Sequence, residues 1–231
     1  MPIYPVMDEP PILQALHPLE IARHLTFMAH ELLRNVQRKT LLYHGTDRQP
    51  LDDSVAQVLM MQKKVSTWAS RTVQEAGTSE LRKGSLEHLL CVATHCQTLR
   101  SFSVMSAIAG GLTTSFRHKR SRASWNESPE IHQVFKIMRD IPENSSEYRR
   151  VLQDHPLPCI PDISKYITAL LLVRETMNDF EDAEKQIVNF RKPQRLASIM
   201  SEFRKYQQHP YNFLIFEPVL SFLDHALNDS E

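Results

Sequence analysis

Three residues at metal-ligand spacing stand out first. His88, Cys91 and His95 lie three and four positions apart, so a helix would align them on one face where they could hold zinc. A fourth ligand at useful spacing is missing, although Cys96 is adjacent, and Leu89, Leu90, Val92 and Ala93 around them are core-like. Ordinary helix packing is the better reading, and no metal site is expected. Nucleophilic catalysis needs a base and an orienting acid beside the nucleophile. No G-x-S-x-G elbow is present, and Cys159 between prolines reads as a small apolar spacer. Gly110-Gly111 is not followed by Lys and Ser or Thr, as a phosphate loop would require. The pair is read instead as allowing close helix packing. Neither a cofactor nor covalent chemistry is expected.

A different kind of chemistry is open to Leu171 and Glu175. Four residues apart, they share a helix face. An apolar wedge beside a carboxylate can fill a site normally held open for Mg²⁺ and water, while placing negative charge near a bound phosphate. The bland alternative makes Leu171 core and Glu175 a solvated helix end.

The elements that must carry these residues follow from composition and periodicity. Of 231 residues, 42% are apolar and 23% charged, ordinary values for a globular chain. Only 5 are glycine, which disfavours hairpin-rich folds and favours long helices with short joints. The 27 basic residues balance the 27 acidic ones, so no global field draws nucleic acid or an anionic membrane. The local basic run Arg117–Arg122 is read as a solvated loop. Three cysteines without paired spacing suggest a reducing compartment. No apolar run approaches the roughly 20 residues of a membrane span, and no signal-peptide layout is present. The expected location is cytoplasmic.

Helical periodicity predicts helices over Pro18–Val36, Ser54–Ala76 with Gly77 as its stop, and from Ser79 through Leu99. Further helices are expected over Phe102–Leu112, Ile131–Met138 and Tyr148–Leu152. Arg117–Pro129 reads as a loop. Pro156–Pro161 is an extended brace, because residues before proline avoid the helical region. An apolar helix follows it, then a short acidic joint, then a long helix from Asn189-Phe190 to Pro210; few residues separate the two, so they should pair antiparallel. A last helix spans Pro218–Leu227. With no convincing strand ladder, the fold class is all-α, an irregular bundle carrying a helical hairpin over about 162–206, in a single domain over residues 1–231.

In order along nearly the whole chain, several blocks resemble the catalytic domain of Ras-type guanine-nucleotide exchange factors, the RasGEF domain. They are Leu16-His17-Pro18-Leu19-Glu20-Ile21-Ala22-Arg23 with Leu25-Thr26, Val65 to Trp68, Phe102 to Leu112, and Trp125. Pro158-Cys159-Ile160-Pro161 with Tyr166, Val188-Asn189-Phe190, Tyr206-Gln207-Gln208 and Pro210-Tyr211 complete the set. The resemblance implies an all-α bowl that grips the switch regions of a Ras-, Rap- or Ral-type GTPase, with a projecting hairpin prying switch I from the nucleotide. On it, Leu171 would obstruct the Mg²⁺ position and Glu175 would disturb phosphate binding. Met105, Thr113, Tyr148, Asp162, Ile163 and Tyr166 would contact the GTPase. Such a factor accelerates GDP release without a covalent intermediate, so it is not expected to be an enzyme in the bond-making sense. Recruitment to the membranes where the GTPase resides is an open extension.

The chain departs from the family pattern at four places. Thr113 stands where Asn is usual, Asp162 where an aromatic or apolar residue helps form a switch II pocket, Ser145 where a tyrosine is usual, and Thr176-Met177 where the wedge helix normally ends in Gly-Asn. These changes make the expected pocket more polar. They leave open a domain that holds a partner without catalysing release.

Overall fold

The computed structural model describes residues 15–47, 51–117, 132, 136, 142–182, 184 and 186–229. Among them are nine helices: α1 (Pro18–Asn35), α2 (Arg38–Tyr43), α3 (Ser54–Gln74), α4 (Ser79–Thr98), α5 (Phe102–Arg117), α6 (Ser145–Gln153), α7 (Ile163–Thr176), α8 (Arg191–Gln208) and α9 (Glu217–Asn228). The all-α expectation holds. The only strands among the described residues are β1 (Phe180–Asp182) and β2 (Ile187–Val188), an antiparallel ribbon in the α7–α8 joint. Trp125, most of the basic run and most of Ile131–Met138 lie outside the described residues. Arg117, expected in a loop, is instead the last residue of α5.

Helix starts follow from local side chains that satisfy the free N–H groups of a first turn. The His17 Nδ1 accepts from Leu19 N at 3.2 Å ahead of Pro18. Thr78 caps α4 by accepting from Leu81 N at 3.2 Å. Asn144 accepts from Ser146 N and Glu147 N at 2.8 and 3.2 Å, which starts α6 a turn earlier than periodicity suggested.

The most extensive helix contact joins α3 to α5, and one glycine makes it possible. A Cβ on Gly111 would lie 2.1 Å from the Ser66 carbonyl oxygen, so no other residue fits without separating the two backbones. Gly110, whose Cβ would meet nothing nearer than 3.8 Å, has no such demand. α1 and α4 complete this group, burying Ile21, Leu25, Leu33, Leu86 and Leu89. The apolar cores of these helices are continuous with those of α6 to α9.

The segment that ends α8 is tied into this body by helix-terminal carbonyls. Gln207 donates to Leu33 O and Val36 O at 2.9 Å each, satisfying the end of α1. Tyr211 OH donates to Leu99 O at 2.7 Å, doing the same for α4. Ahead of α7, the proline brace is fastened by Ile160 N to Arg100 O at 2.9 Å and by Arg100 Nε to Pro158 O at 3.0 Å. Both ends of the α7–α8 hairpin therefore emerge from fixed backbone.

Candidate functional site

Helices α7 and α8 run antiparallel, as the spacing required. Tyr166 near the start of α7 meets Phe203 and Tyr206 near the end of α8, with ring centroids 5.3 and 6.1 Å apart. The pairing has a root, where the chain enters and leaves the body, and a distal half that carries the ribbon.

At the root, polar groups are at least half-buried and paired. Asp162 caps α7, accepting from Ser164 N at 3.0 Å and from Ser164 Oγ at 2.7 Å. Gln62 of α3 donates to the same carboxylate at 3.2 Å and to Ser103 Oγ at 2.8 Å. The Asp162 N–H donates to the Tyr148 hydroxyl at 2.8 Å. Burial pushes that hydroxyl well above the usual tyrosine range, so it stays neutral and can serve as a fixed acceptor.

Across the pair, Glu202 of α8 is buried. Arg149 of α6 grips it through Nη2 at 2.6 Å and Nε at 3.1 and 3.2 Å. Tyr166 OH and Gln153 Nε2 donate to it at 2.7 and 3.1 Å. The Arg149 guanidinium also lies 5.7 Å from the Tyr166 ring centroid, within cation–π reach. Burial, reinforced by Tyr206 and Glu202, raises the Tyr166 hydroxyl far above its ordinary pKa; burial lifts Tyr206 to about 12.

The distal half is held far more lightly. Leu171 is half-buried, with its Cδ2 3.9 Å from where a Cβ on Gly45 would stand; Gly45 itself has a φ of +73°. Arg174 lies over the Tyr43 ring at 5.6 Å. Its two terminal nitrogens are buried without a hydrogen-bond partner among the described residues, and desolvation lowers its pKa. Glu175 is exposed, one step beyond. Further out, Phe180, Ile187 and Val188 are exposed, and Phe190 is 77% so.

The residues singled out from sequence divide by burial. Leu171 and Glu175 share the α7 side that faces the α2–α3 loop and solvent. Asp162 is half-buried, its carboxylate engaged with the helix end and Gln62. Thr113 is half-buried, and its hydroxyl donates to Ala109 O at 2.8 Å. Met105, Tyr148, Ile163 and Tyr166 are at most 2% exposed. These four can act on a partner only through the residues they support. Ser145 is buried at the first turn of α6.

Arg149, Gln153 and Glu202 escaped sequence reasoning, as did the Tyr43–Arg174 contact. A signal for Glu202 was present: it sits in the apolar stripe Ile199, Phe203, Tyr206, where a carboxylate needs buried partners. Among the described residues, no three His, Cys, Asp or Glu side chains are grouped to hold a metal ion, and no helix is long and apolar enough to cross a membrane.

The RasGEF domain profile matches residues 20–194, which takes in the α1–α5 body, the brace and the hairpin up to the start of α8. The chain belongs to the RasGEF domain family. It is 27% identical over 94% of its length to Ras guanine nucleotide exchange factor Y of Dictyostelium discoideum. It is 26% identical over 86% of its length to Protein son of sevenless of Drosophila melanogaster, and 27% identical over 91% to Ras guanine nucleotide exchange factor A of Dictyostelium discoideum. The chain spans 15%, 13% and 36% of those relatives. The residues that carry the RasGEF resemblance now have local reasons. The proline brace fixes the entry to the hairpin, and Gln207 and Tyr211 fix its exit.

Proposed function

We propose that this RasGEF domain promotes GDP release from a Ras-family GTPase by bringing the α7–α8 hairpin against switch I. The observation that carries this reading is the contrast along the hairpin: a root fixed by buried hydrogen bonds, and a distal side on which Glu175 is free of ion pairing in the described structure and Leu171 is only half-buried. Family membership and exchange-factor relatives support the reaction class.

The mechanism uses binding alone. Mg²⁺ requires near-ideal octahedral coordination by oxygen, so an apolar Leu171 side chain entering its position removes ligands without replacing them. Glu175 adds a negative charge near phosphate, and in a water-poor interface that repulsion is stronger than in bulk water. The domain prefers the nucleotide-free GTPase. By linkage, the factor by which nucleotide weakens domain binding equals the factor by which the domain weakens nucleotide binding. GTP then occupies the emptied site and lowers the affinity for the domain in turn.

The test is release of fluorescent GDP from Ras-, Rap- and Ral-type GTPases with and without the folded domain. Acceleration for at least one is expected; no acceleration for any member rules out exchange. In that case the second reading, a partner-holding domain, is favoured by the inward engagement of Asp162 and the local hydrogen bond of Thr113. It then requires GTPase binding without release.

A further inference from the structure

We propose that Glu202 is a positioning residue whose buried carboxylate sets the tilt and rotation of the hairpin, and hence where Leu171 and Glu175 stand. The consequence for exchange rests on the function proposed above; the positional claim does not.

Helix α8 is held by apolar packing and by one buried charge. On its inner side it is packed by Ile199, Phe203 and Tyr206, and apolar burial is non-directional. Such a stripe keeps a helix against its neighbour but constrains its rotation weakly. Glu202 lies in the same stripe and is bonded from three directions. Arg149 approaches from α6 through a forked contact, Gln153 comes from the same helix, and Tyr166 comes from α7. Both carboxylate oxygens are occupied. Forked guanidinium–carboxylate pairs are geometrically specific, so this one charge fixes α6, α7 and α8 relative to each other.

Its stability contribution is a poor reason for it. A buried ion pair exchanged for well-packed apolar residues is often neutral or stabilising, whereas removing one partner is costly. What the carboxylate adds over a leucine is direction.

The hairpin amplifies any loss of that direction. Glu175 stands nine residues beyond Tyr166 along α7, about 14 Å at 1.5 Å per residue, so a tilt of about 10° at the root moves it by about 2 Å. Beyond the root, the hairpin meets the body at α2 and the loop after it, where Leu171 lies beside Gly45, Arg174 lies over Tyr43, and α8 touches α2. The Arg174 contact leaves both terminal guanidinium nitrogens without a hydrogen-bond partner among the described residues, so it lacks the directional hold of the Glu202 network.

The test separates position from stability. Cys91 on α4 is an exposed thiol and serves as the body label, while Cys96 and Cys159 are buried. Burial pushes Cys159 up to about 12, so it resists alkylation. A Glu181→Cys substitution on the ribbon supplies the second spin label. Inter-label distances are measured in the parent, in Glu202→Gln, and in a triple variant Arg149→Met/Glu202→Leu/Tyr166→Phe that replaces the network by apolar groups. The triple variant is expected to keep the parent's unfolding midpoint, yet to broaden the distance distribution or shift it by about 2 Å. GDP release at saturating domain is expected to fall about tenfold. If Glu202→Gln fails to fold, the triple variant alone decides. An unchanged distance distribution in a folded triple variant overturns the proposal; a changed distribution with an unchanged release rate, in a parent that accelerates release, overturns the link from hairpin position to exchange. A triple variant that cannot fold also overturns it, because the network would then be needed for stability. If the parent accelerates no release at all, the exchange reading fails while the distances still report whether Glu202 sets the hairpin.

Discussion

The root and the distal half of one hairpin use opposite physical solutions. At the root, charged and polar groups are held by partners: the buried Glu202 by Arg149, Gln153 and Tyr166, and the half-buried Asp162 by Ser164, Gln62 and Tyr148. In the distal half, apolar side chains face solvent, as at Leu172, Phe180, Ile187 and Phe190, and the two terminal nitrogens of Arg174 are buried without a hydrogen-bond partner among the described residues. Neither arrangement maximises the stability of the isolated domain. A precise root and an uncommitted distal face together suit an element whose contacts are completed by another molecule.

The contrast can be broken most severely at the root. Glu202→Ala strands Arg149, whose side chain is 15% exposed, and is expected to cost about 3–5 kcal/mol in denaturant unfolding. Phe190→Ala in the distal half, at 77% exposure, should change stability by less than about 0.5 kcal/mol. Comparable losses at the two sites would erase the distinction.

Asp162 sharpens the comparison at smaller amplitude. Asp162→Ala removes the α7 cap and is expected to cost about 1 kcal/mol, read as a lower unfolding midpoint. Asp162→Phe tests whether the aromatic usual in the family improves release. Because the cap is lost with it, any gain in rate should come with the same fall in midpoint.

A still smaller effect concerns the body that carries the root. His30 is buried, and burial lowers its pKa from the ordinary histidine value of 6.5. The unfolded chain therefore binds the proton more readily than the folded one, and stability should decline as pH falls below about 6.5. His30→Leu should flatten that part of the profile, measured as unfolding free energy between pH 7.5 and about 5.5.

Much of this was legible in the sequence. Long helices with short joints followed from periodicity and scarce glycine, and close packing of the Phe102–Leu112 helix was visible in Gly110-Gly111, although its neighbour α3 was not and only Gly111 makes the contact. The proline brace and antiparallel pair were readable because proline geometry and joint length are local properties. What escaped depends on partners distant in sequence. Glu202 and Arg149 are 53 residues apart, and no local pattern names their pairing. Asp162 was read only as a departure from an aromatic, yet Asp-Ile-Ser after a proline also carries a helix-cap signature. The ribbon β1–β2 pairs only three residues with two, too few for alternation to register. Helix α2 is six residues long, less than two turns, too short for a repeating apolar stripe to register.

The most direct measurement is GDP release by the Leu171→Ala/Glu175→Ala double variant, set beside its unfolding midpoint. Leu171 is half-buried and Glu175 exposed, so stability should change by no more than about 1 kcal/mol. Release from the GTPase on which the parent is active should slow by at least about tenfold, the equivalent of about 1.4 kcal/mol of lost destabilisation of the nucleotide complex. Parent-like release by a folded double variant, or a collapse in stability that makes the two residues core, would contradict the account.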